Sequence, residues 1–501
     1  MLTSCNRLSL RAFCSFFLLA MAPTAVQADW PQFRGANSAG RYEGPAMSLD
    51  FGPGHHERWH LDVPPGHSSP IIVGDRIYLT GFDRKQGTLL LLSIDRENGQ
   101  VLWQREFRTA EFEKGHPSFN PASSTPVADD DLVVAYFGSY GLVACSRDGE
   151  VLWENKMPLP KSYAGNATSP TLVGNLVYLY RANYVDHFLL ALDKRTGKEV
   201  WRVKQEEPFD AELACTACPI VAGNQLIVHS ARSVQSYDLQ SGELIWGVKC
   251  ATTATSTPIV VGGEVIVAAW NKMGEPSLRP PFPSFEQLIE ERDANEDQAL
   301  QVREWPKLWI FHRPEGIEAP QNGATVQFKF ADRNRNGSVT ESEWETSVKE
   351  LNAYRDTYKT HGMIAIPLKS QGWLEASDVR VLETKSIPEV PSPISDGRLL
   401  YFIKNGGVLS CLDLPTGKRV YRDRTSGRGT HYASPVIAGQ HLLTTSGDGV
   451  ISVIELGPEF NLVSSHEMKD SVYATPALHD GVLYVRTHSR LYAFGTTPSV
   501  N

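Results

Sequence analysis

Eight times along the chain a short polar run ends in Ser-, Thr- or Cys-Pro and gives way to an apolar stretch, the prolines being Pro70, Pro126, Pro170, Pro219, Pro258, Pro393, Pro435 and Pro476. Each is followed by a turn such as "VGD", "AGN" or "HDG" and a second apolar run such as "RIYLTG" or "QLIVHS". Apolar runs of this length split by Gly, Asn and Asp read as hairpins of short strands. A third strand then leads into a glycine turn with a Trp four residues beyond the Gly: "SIDRENGQVLW", "CSRDGEVLW", "ALDKRTGKEVW" and "YDLQSGELIW", with Tyr421 in place of Trp in "CLDLPTGKRVY". Proline cannot donate to a ladder, so a Pro heading each repeat suits an innermost strand beside an axis.

The intervals between the prolines are 56, 44, 49, 39, 135, 42 and 41 residues. All but one are near the ~40–50 residues of a propeller blade. The long interval is one blade of about 44 residues plus 91, the length of the segment 271–361. The eighth repeat, "ATPALHDGVLYVRTHSRLYAFG", stops short of its Gly-to-Trp strand, while "GPGHHERWHLDV" near the start carries an unpartnered strand with Trp59. Joining the two closes a ring and hides both edges. The fold expected is all-β: an eight-bladed propeller built from 29–270 and 362–501, with a small α-helical module, 271–361, inserted in blade five.

Inside that module "DRNRNGSVTESE" has the pattern of a calcium-binding EF-hand loop, which must deliver oxygens at fixed offsets. Asp332, Asn334, Asn336, the carbonyl of Ser338, Thr340 and Glu343 fall at positions 1, 3, 5, 7, 9 and 12, with Gly337 at the sharp turn. EF-hands pair, and "DANEDQALQVRE" supplies a weaker partner, with Asp293, Asn295, Asp297, Gln301 and Glu304 at positions 1, 3, 5, 9 and 12 and Gln298 where the turn glycine belongs. Whether this first loop holds metal or only supports its neighbour stays open. Leu300 and Val339 occupy equivalent apolar positions and are expected to join the loops. "FEQLIEER", "FKFA" and "SEWETSVKELNAY" read as flanking helices. Arg333 and Arg335 beside only two carboxylates in the better loop point to weak affinity, on the order of 10⁻⁴ to 10⁻³ M, as in extracellular modules.

Export fits that affinity. Residues 1–28 show Arg7 and Arg11, the apolar run "AFCSFFLLAMA", and small residues at Val26 and Ala28, a signal-peptide pattern with cleavage near Ala28. The apolar core is too short to span a bilayer, no later run approaches that length, and no lipobox precedes Cys14. The formal net charge of −9 falls to −11 once Arg7 and Arg11 leave with the leader, an acidic balance that argues against a nucleic-acid partner. A periplasmic or secreted monomer is expected. Cys145, Cys215, Cys218, Cys250 and Cys411 remain, an odd number, so at least one thiol is free; buried structural cysteines are the reading preferred, with a bridge from Cys250 to Cys215 or Cys218 as an alternative.

The repeat "LLALDKRTGKEVW" resembles that of the pyrroloquinoline-quinone (PQQ) type propellers, Ala191, Asp193, Thr196, Gly197 and Trp201 matching its Ala-x-Asp-x-x-Thr-Gly-x-x-x-Trp strand. The resemblance runs from Trp30 to Phe494 except the insertion, and "DWPQFRGANSAG" is similar to the opening of secreted bacterial members. It implies a Trp docked between neighbouring blades. For function it implies two classes: quinoprotein dehydrogenases, and cofactor-free scaffolds such as the BamB-like factor of outer-membrane protein assembly.

Alcohol-oxidising members hold PQQ under a ring of two adjacent cysteines, beside calcium on Glu, Asn and Asp. No Cys-Cys pair occurs here, and Cys215-Thr-Ala-Cys218 is followed by Pro219 rather than a haem-site His. Nor is there a Gly-x-Ser-x-Gly, His-Glu-x-x-His or phosphate-loop motif. Residues just ahead of the repeat prolines should face the channel: His67, Ser123, Asn166, Thr168, Cys215, Thr253, His431, Tyr432 and Tyr473. They supply hydrogen bonds and stacking surfaces. The sequence therefore favours a calcium-binding, non-enzymatic propeller that binds a protein or glycan partner in the cell envelope. The alternative is a PQQ-dependent or other quinoprotein-like oxidoreductase, with PQQ the less favoured cofactor.

Overall fold

A computed structural model describes residues 29–207, 209, 214–250, 252–271, 273–313, 322–356 and 360–495; the leader assigned to 1–28 lies outside them. Eight sheets are arranged as the blades of a propeller. Blade 1 runs outward from Ile71–Val73 through Arg76–Asp83 and Thr88–Asp95 to Val101–Arg108, and the other blades repeat this order. In every blade the strand just after the repeat proline is the innermost of the four repeat strands, where the missing N–H leaves no ladder bond unmade. Middle strands are buried on both faces, as in Leu132–Phe137, while outer strands such as Val151–Lys156 alternate. The core is a set of inter-blade layers rather than one centre.

Ring closure occurs where the sequence places it. Glu57–Asp62 pairs antiparallel with Arg490–Phe494, with His60 opposite Tyr492, and completes blade 8. Two blades carry a fifth strand. Arg41–Tyr42 adds in parallel to the inner strand of blade 7, and Gly372–Leu374 adds in parallel to the outer strand of blade 4.

The repeat's Trp and Gly hold the blades together. Trp59, Trp103, Trp153 and Trp201 each donate an indole N–H to a carbonyl of the next blade's turn, at Arg96, Arg147, Lys194 and Leu239. Each ring lies against that turn's glycine: Gly99, Gly149, Gly197 and Gly242. Trp246 departs from this pattern and donates within its own blade to Gln225 Oε1.

Blade 5 is continuous across the insertion, because Glu264–Ala269 pairs directly with Gly362–Pro367 and sets Ala269 opposite Gly362. The inserted segment has its own small core around Leu288, Leu300, Val339 and Trp344. It contains helix α1 (Phe285–Arg292), the single turn α2 (Phe328–Ala331) and helix α3 (Glu341–Asp356). Ser284 and Gln287 form a capping box that starts α1. The three helices fall where the sequence reading placed them, and the segment between the loops adds an element that reading did not name. After Glu304 the chain turns into a strand, Trp309–Arg313, that pairs with Asn322–Thr325 as a hairpin. Pro306 disfavours helix at Trp305, and the β-forming run "LWIFH" takes over.

Candidate functional site

Each inner strand is preceded by an extended stretch in which alternate side chains face opposite ways. Counting back from the repeat prolines, the first and third residues face the axis and the second and fourth enter the wall, except that Glu389, fourth before Pro393, lines the cavity. Residues at the first position are Ser69, Thr125, Ser169, Cys218, Thr257, Ser392, Ser434 and Thr475, and all line one cavity of about 740 Å³ on the axis. The same eight form a closed circuit. The backbone N–H of each donates to the side chain of its neighbour in the next blade: Ser69 to Thr125 at 2.9 Å, Thr125 to Ser169 at 3.0 Å, Ser169 to Cys218 Sγ at 3.4 Å, and so on until Thr475 donates to Ser69 Oγ at 3.1 Å. Their residue types were plain in the sequence, but the bonds join residues from different repeats and were not foreseen. Cys218 is the one thiol in a ring of hydroxyls.

His67, Ser123, Tyr432 and Tyr473, at the third position, and Thr253 line the cavity as expected. Asn166, Thr168, Cys215 and His431 do not. They sit at even offsets and are buried in the wall, Thr168 bonded to the Ala217 carbonyl and His431 to that of Gly429. Sequence reasoning missed the residues brought in by loops: Phe33, His116, Phe119, Tyr163, Trp270, Phe311 and Glu389. Apart from Glu389, four residues before Pro393, none of these lies near a repeat proline, so the period gave no signal for them.

Two aromatic groups flank the cavity. His67 stands edge-on to Tyr473 at 4.8 Å, and Tyr473 edge-on to Tyr432 at 5.1 Å; elsewhere His116 lies 5.7 Å from Tyr163. Burial, with Arg486 and His488 adding positive charge, pushes the His67 pKa down to about 3, so its imidazole is neutral. Glu389 is the one carboxylate among the described lining residues, and no Lys or Arg is among them.

The segment that begins the described chain closes one end of the cavity. Trp30 pairs with Ile72 in blade 1, Ala36–Ser38 lies against Ile220–Ala222 in blade 4, and Arg41–Tyr42 joins blade 7. Phe33 thereby forms part of the floor, and the guanidinium of Arg34 is enclosed beneath it, donating to the Pro393 carbonyl at 2.8 Å. Behind the wall, Glu113 is held by its Oε2, which accepts the Asn166 N–H at 3.0 Å. Burial raises its pKa to about 8, against the pull of Asn166 and Arg181.

The second candidate site is the pair of loops in the insertion. In the Asp332 loop, Asp332 accepts the N–H groups of Asn336 and Gly337, Asn336 Oδ1 accepts that of Ser338, and Glu343 Oε2 accepts that of Thr340. Gly337 takes φ 90°, the left-handed turn its position requires. The Asp293 loop repeats this scheme. Asp293 accepts from Asp297 and Gln298, Glu304 accepts from Gln301, and Gln298 is forced to φ 60° where glycine would relax. There the side-chain amides of Asn295 and Gln301 both donate to Asp297 Oδ2, so donors are turned toward the loop centre. The loops are joined by a short ribbon with Leu300 opposite Val339. No group of three or more His, Cys, Asp or Glu side chains gathers for a metal among the described residues. The Asp332 loop would draw instead on two carboxylates plus amide, hydroxyl and main-chain oxygens, a hard-oxygen set that suits calcium.

A family model described as outer membrane protein assembly factor BamB matches residues 46–184 and 90–279. The ring is a PQQ-like propeller of the BamB type. Quinoprotein alcohol dehydrogenase PedH of Pseudomonas putida is 30% identical over 129 residues, 23% of this chain and 21% of that protein. The match thus spans about a fifth of that relative's length. BamB from Moraxella catarrhalis superposes with a TM-score of 0.51 at 11% identity, covering 88% of this chain and 99% of that one. A europium-containing methanol dehydrogenase superposes with a TM-score of 0.54 at 12% identity, covering 93% and 98%. At these identities the superpositions establish the propeller architecture alone.

Proposed function

We propose that this PQQ-like propeller is an exported, calcium-binding protein that acts as a non-enzymatic binding or scaffold protein in the cell envelope, taking a protein or glycan partner. The chemistry of the axial cavity carries the reading. Its described lining is made of hydroxyls, aromatic rings, two imidazoles, one thiol and one carboxylate, groups that stack and hydrogen-bond and that, among the described residues, include no carboxylate pair for acid and base catalysis. The BamB family match and the leader pattern at 1–28 support an envelope location. No helix among the described residues is long and apolar enough to cross a membrane. Calcium rests on the Asp332 loop, with Asp332, Asn334, Asn336, Ser338, Thr340 and Glu343 as ligands. The Asp293 loop is its weaker partner.

The similarity to PedH keeps a second reading, a quinoprotein-like oxidoreductase. PQQ carries three carboxylates, and the described lining residues include no Lys or Arg to meet them; Arg34 is enclosed under the floor, and Arg486 is buried behind the wall, bonded to Ser68. Cys215 and Cys218 are free buried thiols rather than a ring over a cofactor.

One experiment separates the two readings. The purified protein is mixed with PQQ and calcium and assayed for dye-linked oxidation of alcohols and sugars. The binding reading expects no stoichiometric PQQ uptake and no dye reduction; uptake with turnover would overturn it. Isothermal titration with calcium, on wild type and on the double variant Asp332→Ala/Glu343→Ala, tests the metal: heat is expected from the first protein only.

A further inference from the structure

Phe311, Gly323 and Ala324 line the axial cavity, yet they belong to the insertion rather than to any blade. They lie on the hairpin Trp309–Arg313 and Asn322–Thr325, part of the chain that connects the end of the Asp293 loop to the start of the Asp332 loop. The inserted two-loop module and the channel therefore share a wall. We propose that the state of the two loops sets access to the channel, because the hairpin is tied to both of them. This rests on the calcium reading above and adds a regulated site to it.

The ties can be followed residue by residue. In each loop the closing carboxylate at position 12 is followed at once by a Trp: Glu304 by Trp305 and Glu343 by Trp344. These two indoles meet edge to face at 5.6 Å, so the two closing positions are mechanically joined. Trp305 also donates its indole N–H to the Val326 carbonyl at 2.9 Å, and Val326 N–H donates to Leu308 at 2.8 Å, which locks the base of the hairpin. From the other side, Arg355 near the end of α3 donates to the carbonyls of Trp309 at 3.0 Å and Ile310 at 2.9 Å, immediately before Phe311. The Phe311 ring packs on Met273 at the root of the insertion.

A calcium ion in an EF-hand loop is completed by the closing Glu at position 12, whose movement reorients the helix that follows. Here that helix is α3, which grips the hairpin through Arg355. The Leu300–Val339 ribbon makes the loops move as one unit. With calcium bound, Phe311 is held over its part of the cavity wall. Without it, the hairpin loosens and the channel admits solutes more readily.

Cys218 provides a native reporter. It is the one cysteine among the cavity-lining residues, the other four described cysteines being buried elsewhere. The test measures the rate at which an uncharged maleimide labels the full exported chain, with label located by mass spectrometry, in about 10 mM calcium and in excess chelator. Calcium uptake is measured by calorimetry on the same sample. Labelling at Cys218 is expected to be at least about fivefold faster in chelator. The Phe311→Ala variant should bind calcium normally yet label at one fast rate in both conditions, and Cys218→Ser should lose the signal. Equal wild-type rates in the presence of a measured binding heat would overturn the coupling while leaving calcium binding intact. Absence of any binding heat would overturn both.

Discussion

The indole N–H of Trp153 donates to the Lys194 carbonyl at 2.8 Å, and this lays its ring on Gly197, where a Cβ would stand 2.6 Å from the nearest ring carbon. Gly197 also has φ +67°. Its hydrogen atom is thus needed twice, for backbone conformation and for the close approach of a neighbouring blade. Gly197→Ala should destabilise by about 2–4 kcal/mol, the sum of positive-φ strain and overpacking. Gly223, with φ +61° and nothing within 4 Å of a built Cβ, isolates the first effect, and its Ala variant should lose only about 1 kcal/mol. Denaturant unfolding of both variants measures the difference.

The circuit around the axis makes its own forecast. Thr257 Oγ1 accepts the buried Cys218 N–H at 3.0 Å. Thr257→Val preserves shape but orphans that donor, which should cost about 1–3 kcal/mol. Cys218→Ser replaces a weak acceptor, 3.4 Å from the Ser169 N–H, with a hydroxyl, and should be neutral or stabilising by about 0.5 kcal/mol. Thermal unfolding midpoints should move in opposite senses, or one should stay still.

Glu113 predicts a dependence on pH. Burial raises its pKa in the folded protein from 4.5 to about 8. The folded state therefore keeps a proton that the unfolded chain gives up. Stability from this group is fully present below pH 4.5 and is lost as pH rises toward about 8. Glu113→Gln mimics the neutral acid, so it should flatten that part of the stability curve and exceed wild type by roughly 2 kcal/mol near pH 8. Urea midpoints measured at several pH values from 5 to about 9 check the crossover.

For calcium the expected gain is small and local. At ~10 mM metal and a dissociation constant near 1 mM, linkage supplies only about 1.4 kcal/mol. Limited proteolysis should show calcium slowing cleavage within 271–361 while the blades digest at an unchanged rate. The change should vanish in Asp332→Ala/Glu343→Ala. Fluorescence of Trp305 and Trp344, which touch at 5.6 Å, should shift in the wild type over the same titration.

What the sequence determined by itself is what repeats or lies close along the chain. The proline at each inner strand, the Gly-to-Trp offset, the strand around Trp59 that closes blade 8 and the left-handed turn at Gly337 are all local patterns, fixed by backbone geometry over a few residues. Even the inward or outward direction of residues before the prolines obeys a period of two, Glu389 excepted, and Asn166, Thr168, Cys215 and His431 sit at the even offsets that enter the wall. Tertiary structure alone decided which distant residues meet. Phe33 closes the cavity floor, and Phe311 reaches the channel from inside the insertion. The chain after Pro306, for which the sequence reading named no element, forms the hairpin that carries Phe311 there. Such contacts depend on where whole elements pack, and no spacing within one repeat encodes them.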